Sequence, residues 1–316
     1  METLIRHTRI DCHQHRAFRA FLAYCFFLLP LFWCSGCHSL KFMPSSLEKP
    51  DKTANELSVL AAPGKRSFRV GQFVFSSDFE VNRDQPLFRE LADLPEQVYK
   101  ELELPASNTL VQIHLFQDRD RYERFMQAKY PDLPRRRAFF VAQPRTVGGA
   151  EDLMVYTFWG ERIRQDLRHE LTHALLHCVL RDVPLWLDEG LAEYFELPPH
   201  LQGVNQQHLE QSTGTSAPFK PDLGHLEQLT QVQQMTPVEY REAWAWVHLM
   251  LRDRPQAKAV LTSYLQQLRL NPTPGLLQPR LAAVYPDLAD SLSKHLTQLE
   301  QEPRRQAADM IKGDGE

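Results

Sequence analysis

His169 and His173 stand four residues apart in Asp166-Leu167-Arg168-His169-Glu170-Leu171-Thr172-His173-Ala174-Leu175-Leu176-His177, a run without Pro or Gly. A helix there carries both imidazoles on one face, one turn apart, as two ligands of a single zinc ion require. Glu170 is turned by about one hundred degrees around the axis. From that position its carboxylate reaches a water on such an ion without itself taking a coordination position. A hydrolytic zinc site needs three protein ligands and an open position. The third is sought just downstream, in Pro184-Leu185-Trp186-Leu187-Asp188-Glu189-Gly190-Leu191-Ala192-Glu193-Tyr194-Phe195. Glu189 and Glu193 are four apart and share a face of a second helix. With Glu189 on the metal, Glu193 follows one turn on and can accept the free ring N–H of a ligand histidine, which fixes its tautomer and raises its basicity.

These two stretches together, His169-Glu170-Leu171-Thr172-His173 and Trp186-Leu187-Asp188-Glu189-Gly190-Leu191-Ala192-Glu193-Tyr194-Phe195, resemble the glutamate-type zinc metallopeptidases, the gluzincins, and in particular their bacterial peptidase-MA-like branch. The resemblance implies a zincin-like fold, a Zn2+ cofactor and a peptide or protein substrate. It also implies Glu170 as general base, with His169, His173 and Glu189 on the metal. Glu189 lies 16 residues after His173, a shorter connection than is usual in that family, and Glu193, 20 after His173, is the competing ligand. The metzincin pattern is excluded, because it demands a histidine six positions after His173 and Val179 stands there. His177 continues the face of the two ligands by a further turn, too far along for the same tetrahedral shell, and is assigned a packing or hydrogen-bonding role. Cys178, beside Val179 and Leu180, reads as core.

The chain's first residues have a different character. Arg6, Arg9, Arg16 and Arg19 precede the uncharged run Ala20-Phe21-Leu22-Ala23-Tyr24-Cys25-Phe26-Phe27-Leu28-Leu29-Pro30-Leu31-Phe32-Trp33. That is a basic segment followed by an apolar one, short of the ~20 residues that span a bilayer. It ends in Cys34-Ser35-Gly36-Cys37, which resembles the lipobox of bacterial lipoproteins except for Cys34 where Leu is usual. The expectation is a signal peptide over 1–36, with Cys37 acylated and the protein held on a membrane outside the cytoplasm. A retained N-terminal anchor is the alternative. Of the five cysteines, Cys12, Cys25 and Cys34 would leave with the leader and Cys37 would carry lipid. Cys178 alone remains, so no intrachain disulfide is expected. The leader holds four Arg against Glu2 and Asp11, so its removal takes the formal charge from -4 to -6. A mildly acidic chain argues against a nucleic-acid partner. Arg135-Arg136-Arg137, in such a chain, reads as solvated surface.

Residues 37–65 lack a sustained period and read as a tether, and 66–300 as the folded domain, with an N-terminal lobe to about 180. Phe68-Arg69-Val70 and Phe73-Val74-Phe75, broken at Gly71, suggest a first hairpin. Leu87, Leu91, Leu94, Val98 and Leu102 recur at helical spacing, with Pro95 a possible kink. Thr109–Phe116 alternates as a strand and Asp118–Met126 follows as a short helix. Ala138–Ala142 and Leu153–Phe158 are two more strands. This order predicts an α+β chain in which a small twisted mixed sheet packs on the His-Glu-x-x-His helix. Leu201–Pro221 reads as a surface loop at the rim of the site. Thr236-Pro237-Val238-Glu239 is a capping box that starts a further helix, and the leucine spacings beyond it complete a mostly helical C-terminal lobe. Residues 301–316 read as a polar tail.

The chemistry that such a site performs is amide hydrolysis, with Glu170 relaying a proton from water to the leaving nitrogen. A donor facing the developing oxyanion is also needed. Gluzincins take it from a Tyr or His of the C-terminal lobe, which makes Tyr240 and His248 the candidates here; with Trp244 they form a stripe at successive helical turns. Two other readings share these residues: a zincin-like envelope binding module without hydrolysis, and a zinc amidase acting on a non-protein amide.

Overall fold

The computed structural model describes residues 61–144, 151–214, 219–271 and 273–313, with side chains as far as 301. The leader and Cys37 lie outside the described residues, as does most of the tether. Two strands, β1 (Arg66–Val70) and β2 (Phe73–Ser77), pair as an antiparallel hairpin about Gly71, whose φ of 56° is the left-handed conformation such a turn requires. β3 (Val111–Phe116) runs parallel to β2, and β5 (Glu151–Phe158) runs parallel to β3. β4 (Ala138–Pro144) closes the sheet antiparallel to β5, giving the order β1-β2-β3-β5-β4. The chain is therefore α+β, with a mixed five-stranded sheet and β4 on an outer edge.

Both faces of this sheet are covered, and the alternation along β4 shows how. Phe139 and Val141 join Phe116, Tyr122, Phe125 and Tyr156 in a small cluster under helix α2 (Arg119–Lys129). Phe140 and Ala142 point the other way, into the large core built on α1 (Pro86–Glu101) and α3 (Ile163–Val179). α1 continues through Pro95, burying Leu91, Leu94 and Val98 on one side. Successive residues of a strand face opposite sides, so one strand seals both layers.

α3 carries the His-Glu-x-x-His run and packs on β4 and β5 through Leu167, Leu171 and Ala174. The chain turns in five residues and returns as α4 (Leu185–Phe195). One side chain ties the two helices together. Arg168, 1% exposed, donates from Nε to the carbonyls of Phe195 and Glu196 and from Nη2 to that of Leu197. Those carbonyls end α4 and have no partner within it, so a guanidinium from α3 caps them.

The C-terminal lobe is helical. α5 (Gln206–Thr213) occupies part of the stretch expected to be loop, because Asn205 caps it and Leu209 buries beneath it. A short α6 (Leu223–Leu226) precedes α7 (Pro237–Arg252), which begins with the expected capping box on Thr236 and Glu239. α8 (Pro255–Leu270), α9 (Gln278–Ala282) and α10 (Leu288–Gly313) complete the lobe, α10 running through most of the stretch read as a polar tail. Among the described residues no helix is long and apolar enough to cross a membrane.

α4 crosses α7 at close range. A Cβ on Gly190 would lie 2.5 Å from the carbonyl oxygen of Ala243 and 2.9 Å from a methyl of Val247. The backbone oxygen cannot move aside without bending α7. Gly190→Ala should therefore cost about 1–3 kcal/mol, the usual range for overpacking. Thermal denaturation checks this; a melting temperature equal to wild type would show the crossing to be adjustable.

Candidate metal centre

From α3 the rings of His169 and His173 converge with the carboxylate of Glu189 on α4. The two Nε2 atoms are 3.3 Å apart, Glu189 Oε2 lies 3.3 Å from His169 Nε2, and it lies 3.6 Å from His173 Nε2. Bonds of about 2.05 Å to a tetrahedral ion imply ligand atoms roughly 3.3 Å apart. The three atoms thus form one face of such a tetrahedron, and two nitrogens with one carboxylate oxygen are a donor set that suits zinc. Glu193 oxygens lie too far off to replace Glu189 in that triangle; the grouping that includes Glu193 joins it to His169 and Glu196.

What aims the rings is a pair of carboxylates on their far edges. Asp188 Oδ1 is 3.1 Å from His173 Nδ1, and Glu196 Oε2 is 3.1 Å from His169 Nδ1. Each carboxylate accepts the Nδ1–H and so fixes the tautomer that leaves Nε2 for a metal. The partner of His169 is therefore Glu196, and the role expected of Glu193 is corrected: Glu193 bonds His208 Nε2 of α5 at 3.0 Å. The reason is helical phase. Seven residues bring Glu196 back to within about 20° of Glu189, whereas four residues leave Glu193 about 40° off. Asp188 also accepts from His177 Nε2 at 3.1 Å, so His177 stands behind the candidate ligands, with its ring against Phe140.

The electrostatics follow from this packing. Burial opposes charge on His173, but Asp188 and Glu189 outweigh it and lift its pKa to about 10. Burial likewise acts against His169, and the Glu189 and Glu196 carboxylates push its pKa well above the ordinary value. Asp188 is buried too, yet the two imidazoles hold it far below the usual carboxylate range. A site that favours positive charge this strongly in the metal-free chain is one in which a dication competes with protons.

A cavity of about 290 Å³ opens onto the group at His169, lined among others by Arg136, Glu170, Glu193, Glu196 and Tyr240. Glu170 Oε2 accepts the backbone N–H of Phe140 at 2.6 Å, which anchors the carboxylate on the outer edge of β4. Tyr240 donates its hydroxyl to Glu189 Oε1 at 3.2 Å. Burial and the Glu189 charge raise the phenol's pKa, so it remains a donor. Arg136 bonds the same hydroxyl and lies 3.5 Å from Glu189 Oε1. The expectation that Arg135-Arg136-Arg137 is solvated surface is corrected for two of the three. Arg136 enters the cleft, and Arg137 pairs with Asp166 at 3.0 Å over the ring of Phe158. Carboxylates inside the cleft supply what an acidic exterior does not reveal.

The structure separates His248 from this group. It lies two turns beyond Tyr240, packed on Tyr194 and Trp244, with Nδ1 2.9 Å from His295 Nε2 of α10. Burial, helped by His295 and Arg252, lowers its pKa to about 3. Cys178 is partly buried near Gln72, and burial pushes its thiol up to about 11.

Zinc titration of metal-free protein should show one ion bound per chain. His173→Ala should lose most of that binding, and full occupancy in that variant would refute the site. Glu196→Gln should weaken it about 10–100-fold, while Glu193→Gln stays close to wild type. A separate consequence concerns acid. His248 stays neutral in the fold while the unfolded chain takes up a proton below its ordinary pKa of 6.5, so stability falls between about pH 6.5 and 3, by at most ~1.4 kcal/mol per pH unit. His295 and Arg252 are the charged or titratable neighbours that act on His248, and Asp253 lies 3.6 Å from the far side of His295. In His248→Gln that acid limb should flatten, measured by urea unfolding at several pH values.

No protein-family model matches the chain, and no curated protein matches it either.

Proposed function

We propose that this chain is a zinc-dependent metallopeptidase of zincin-like fold, exported and held at a membrane through Cys37. What supports the reading is a single coincidence: two Nε2 atoms and one carboxylate oxygen within 3.3–3.6 Å of one another, with Glu170, Tyr240 and Arg136 lining a cavity that reaches His169 of that group. A zinc ion held by His169, His173 and Glu189 would polarise a carbonyl and make water acidic enough to lose a proton near neutral pH.

Around that ion the chain's own groups divide the work. Glu170 accepts the proton from water and hands it to the leaving nitrogen. The Phe140 N–H holds its carboxylate in place on the edge of β4. Tyr240 and Arg136 provide the donors that meet the oxyanion as charge develops on it, an effect worth roughly 3–4 kcal/mol for a good donor. Both groups are half-buried or better, so little reorganisation is needed when that charge appears. His248 has no part in this reading.

Purified protein incubated with a mixed peptide library should cleave it, as read by mass spectrometry. Chelation should abolish the cleavage and added Zn2+ should restore it. Glu170→Gln should retain zinc and lose about 10²–10⁴-fold in rate, since it removes a base and not a ligand. Cleavage that survives chelation or the Glu170→Gln change would overturn the proposal. Zinc-loaded wild type that cleaves no peptide would favour a binding module.

A further inference from the structure

A second cavity, of about 430 Å³, shares no lining residue with the metal cleft. Its walls come from α1, the end of α4, α7 and α8. Lys100, Arg168, Arg252 and Lys258 line it, against Glu101 as the single acidic residue. Glu101 is divided between two of these cations, 2.9 Å from Lys258 Nζ and 3.4 Å from Arg252 Nη2. The lining is thus strongly positive in a chain whose net charge is negative. Phe195, Leu197 and Pro198 give the same cavity an apolar wall.

Arg168 sets the character of the site. Its Nε–H is shared between two carbonyls, and the two N–H groups of Nη2 are taken by Leu197 O and Gln97 Oε1. Nη1, with two further N–H groups, is buried and hydrogen-bonds to nothing among the described residues. Leaving charged donors buried and unmade is costly. Burial lowers the pKa of Arg168 only to about 10, so the guanidinium keeps its charge at neutral pH. A planar cation with spare donors, surrounded by further cations and one apolar wall, is complementary to a carboxylate or phosphate carried on an apolar body.

We propose that this cavity is a binding site for a small organic anion, whose carboxylate or phosphate lies against the Arg168 guanidinium while its apolar part lies on Phe195 and Leu197. Lys100, Arg252 and Lys258 supply the attracting field. The site is independent of the peptidase reading and stands whether or not that reading does.

Calorimetric titration with three probes tests it: N-acetyl-phenylalanine, phenyl phosphate, and the neutral N-acetyl-phenylalanine amide. At least one of the two anions should bind saturably with one ligand per chain, and the amide should bind neither as tightly nor at the same site. Which anion binds more tightly identifies the head group. Lys100→Gln/Lys258→Gln, which removes charges at the open rim and leaves the α4 cap intact, should weaken that binding about tenfold. His173→Ala should leave it unchanged, which separates this cavity from anion capture at the metal. Arg168→Met should abolish it, though that change also loosens the end of α4, so the rim variant carries the test. Absence of saturable anion binding below about 10 mM, an amide that binds as well, or a rim variant as tight as wild type would each overturn the proposal.

Discussion

An imidazole on a helix can swing either nitrogen toward a ligand position, or neither, unless its opposite edge is held. In this protein both opposite edges are held, by Asp188 and Glu196, from the same neighbouring helix that contributes Glu189. Everything else about the centre depends on α4 lying where these three carboxylates can reach α3. Arg168 secures that placement at one end by capping α4 from α3. Gly190 permits it from the other side, since only a residue without a side chain lets α7 come so close. The orienting hydrogen bonds and the helix packing are in this sense one arrangement.

The sheet contributes through its edge. Because β4 is the last strand, one row of its backbone groups faces away from β5, and the N–H of Phe140 is spent on Glu170. The neighbouring Phe140 ring fills the space behind His173 and His177. Just before the strand begins, Arg136 crosses to Tyr240 of the other lobe. A short length of one edge strand, with the residue just before it, thereby touches Glu170, the imidazole rings and the far wall of the cleft.

Much of this was legible in the sequence, and the reasons differ by element. Four-residue spacing on one helix dictates that His169 and His173 share a face, whatever the rest of the chain does. The capping box at Thr236 and the alternation through residues 111–116 are local signals of the same kind. Glu196 was less visible because a residue at the very end of a helix is read as terminus, although its seven-residue distance from Glu189 is itself a phase signal. Arg136 had no local signal at all. Its burial depends on Glu189 and Tyr240, which are brought to it only by the tertiary fold. His248 erred in the opposite way: its spacing from Tyr240 was right for a common stripe, but eight residues along α7 is about 12 Å, and the stripe leaves the cleft for the core.

The separation of these residues along the chain also bears on how the centre would be assembled. Glu189 follows His173 by 16 residues and the three candidate ligands fall within one helical hairpin, so the loop that a metal would close there is short and its entropic cost small. Arg136 and Tyr240 are 104 residues apart, and their meeting waits for the C-terminal lobe to dock. If the chain binds zinc as proposed, the α3–α4 hairpin holds all three candidate ligands before the far wall of the cleft exists. On the proposed reading, metal uptake and completion of the cleft would then belong to separate stages of folding, the local hairpin first and the long-range contact later.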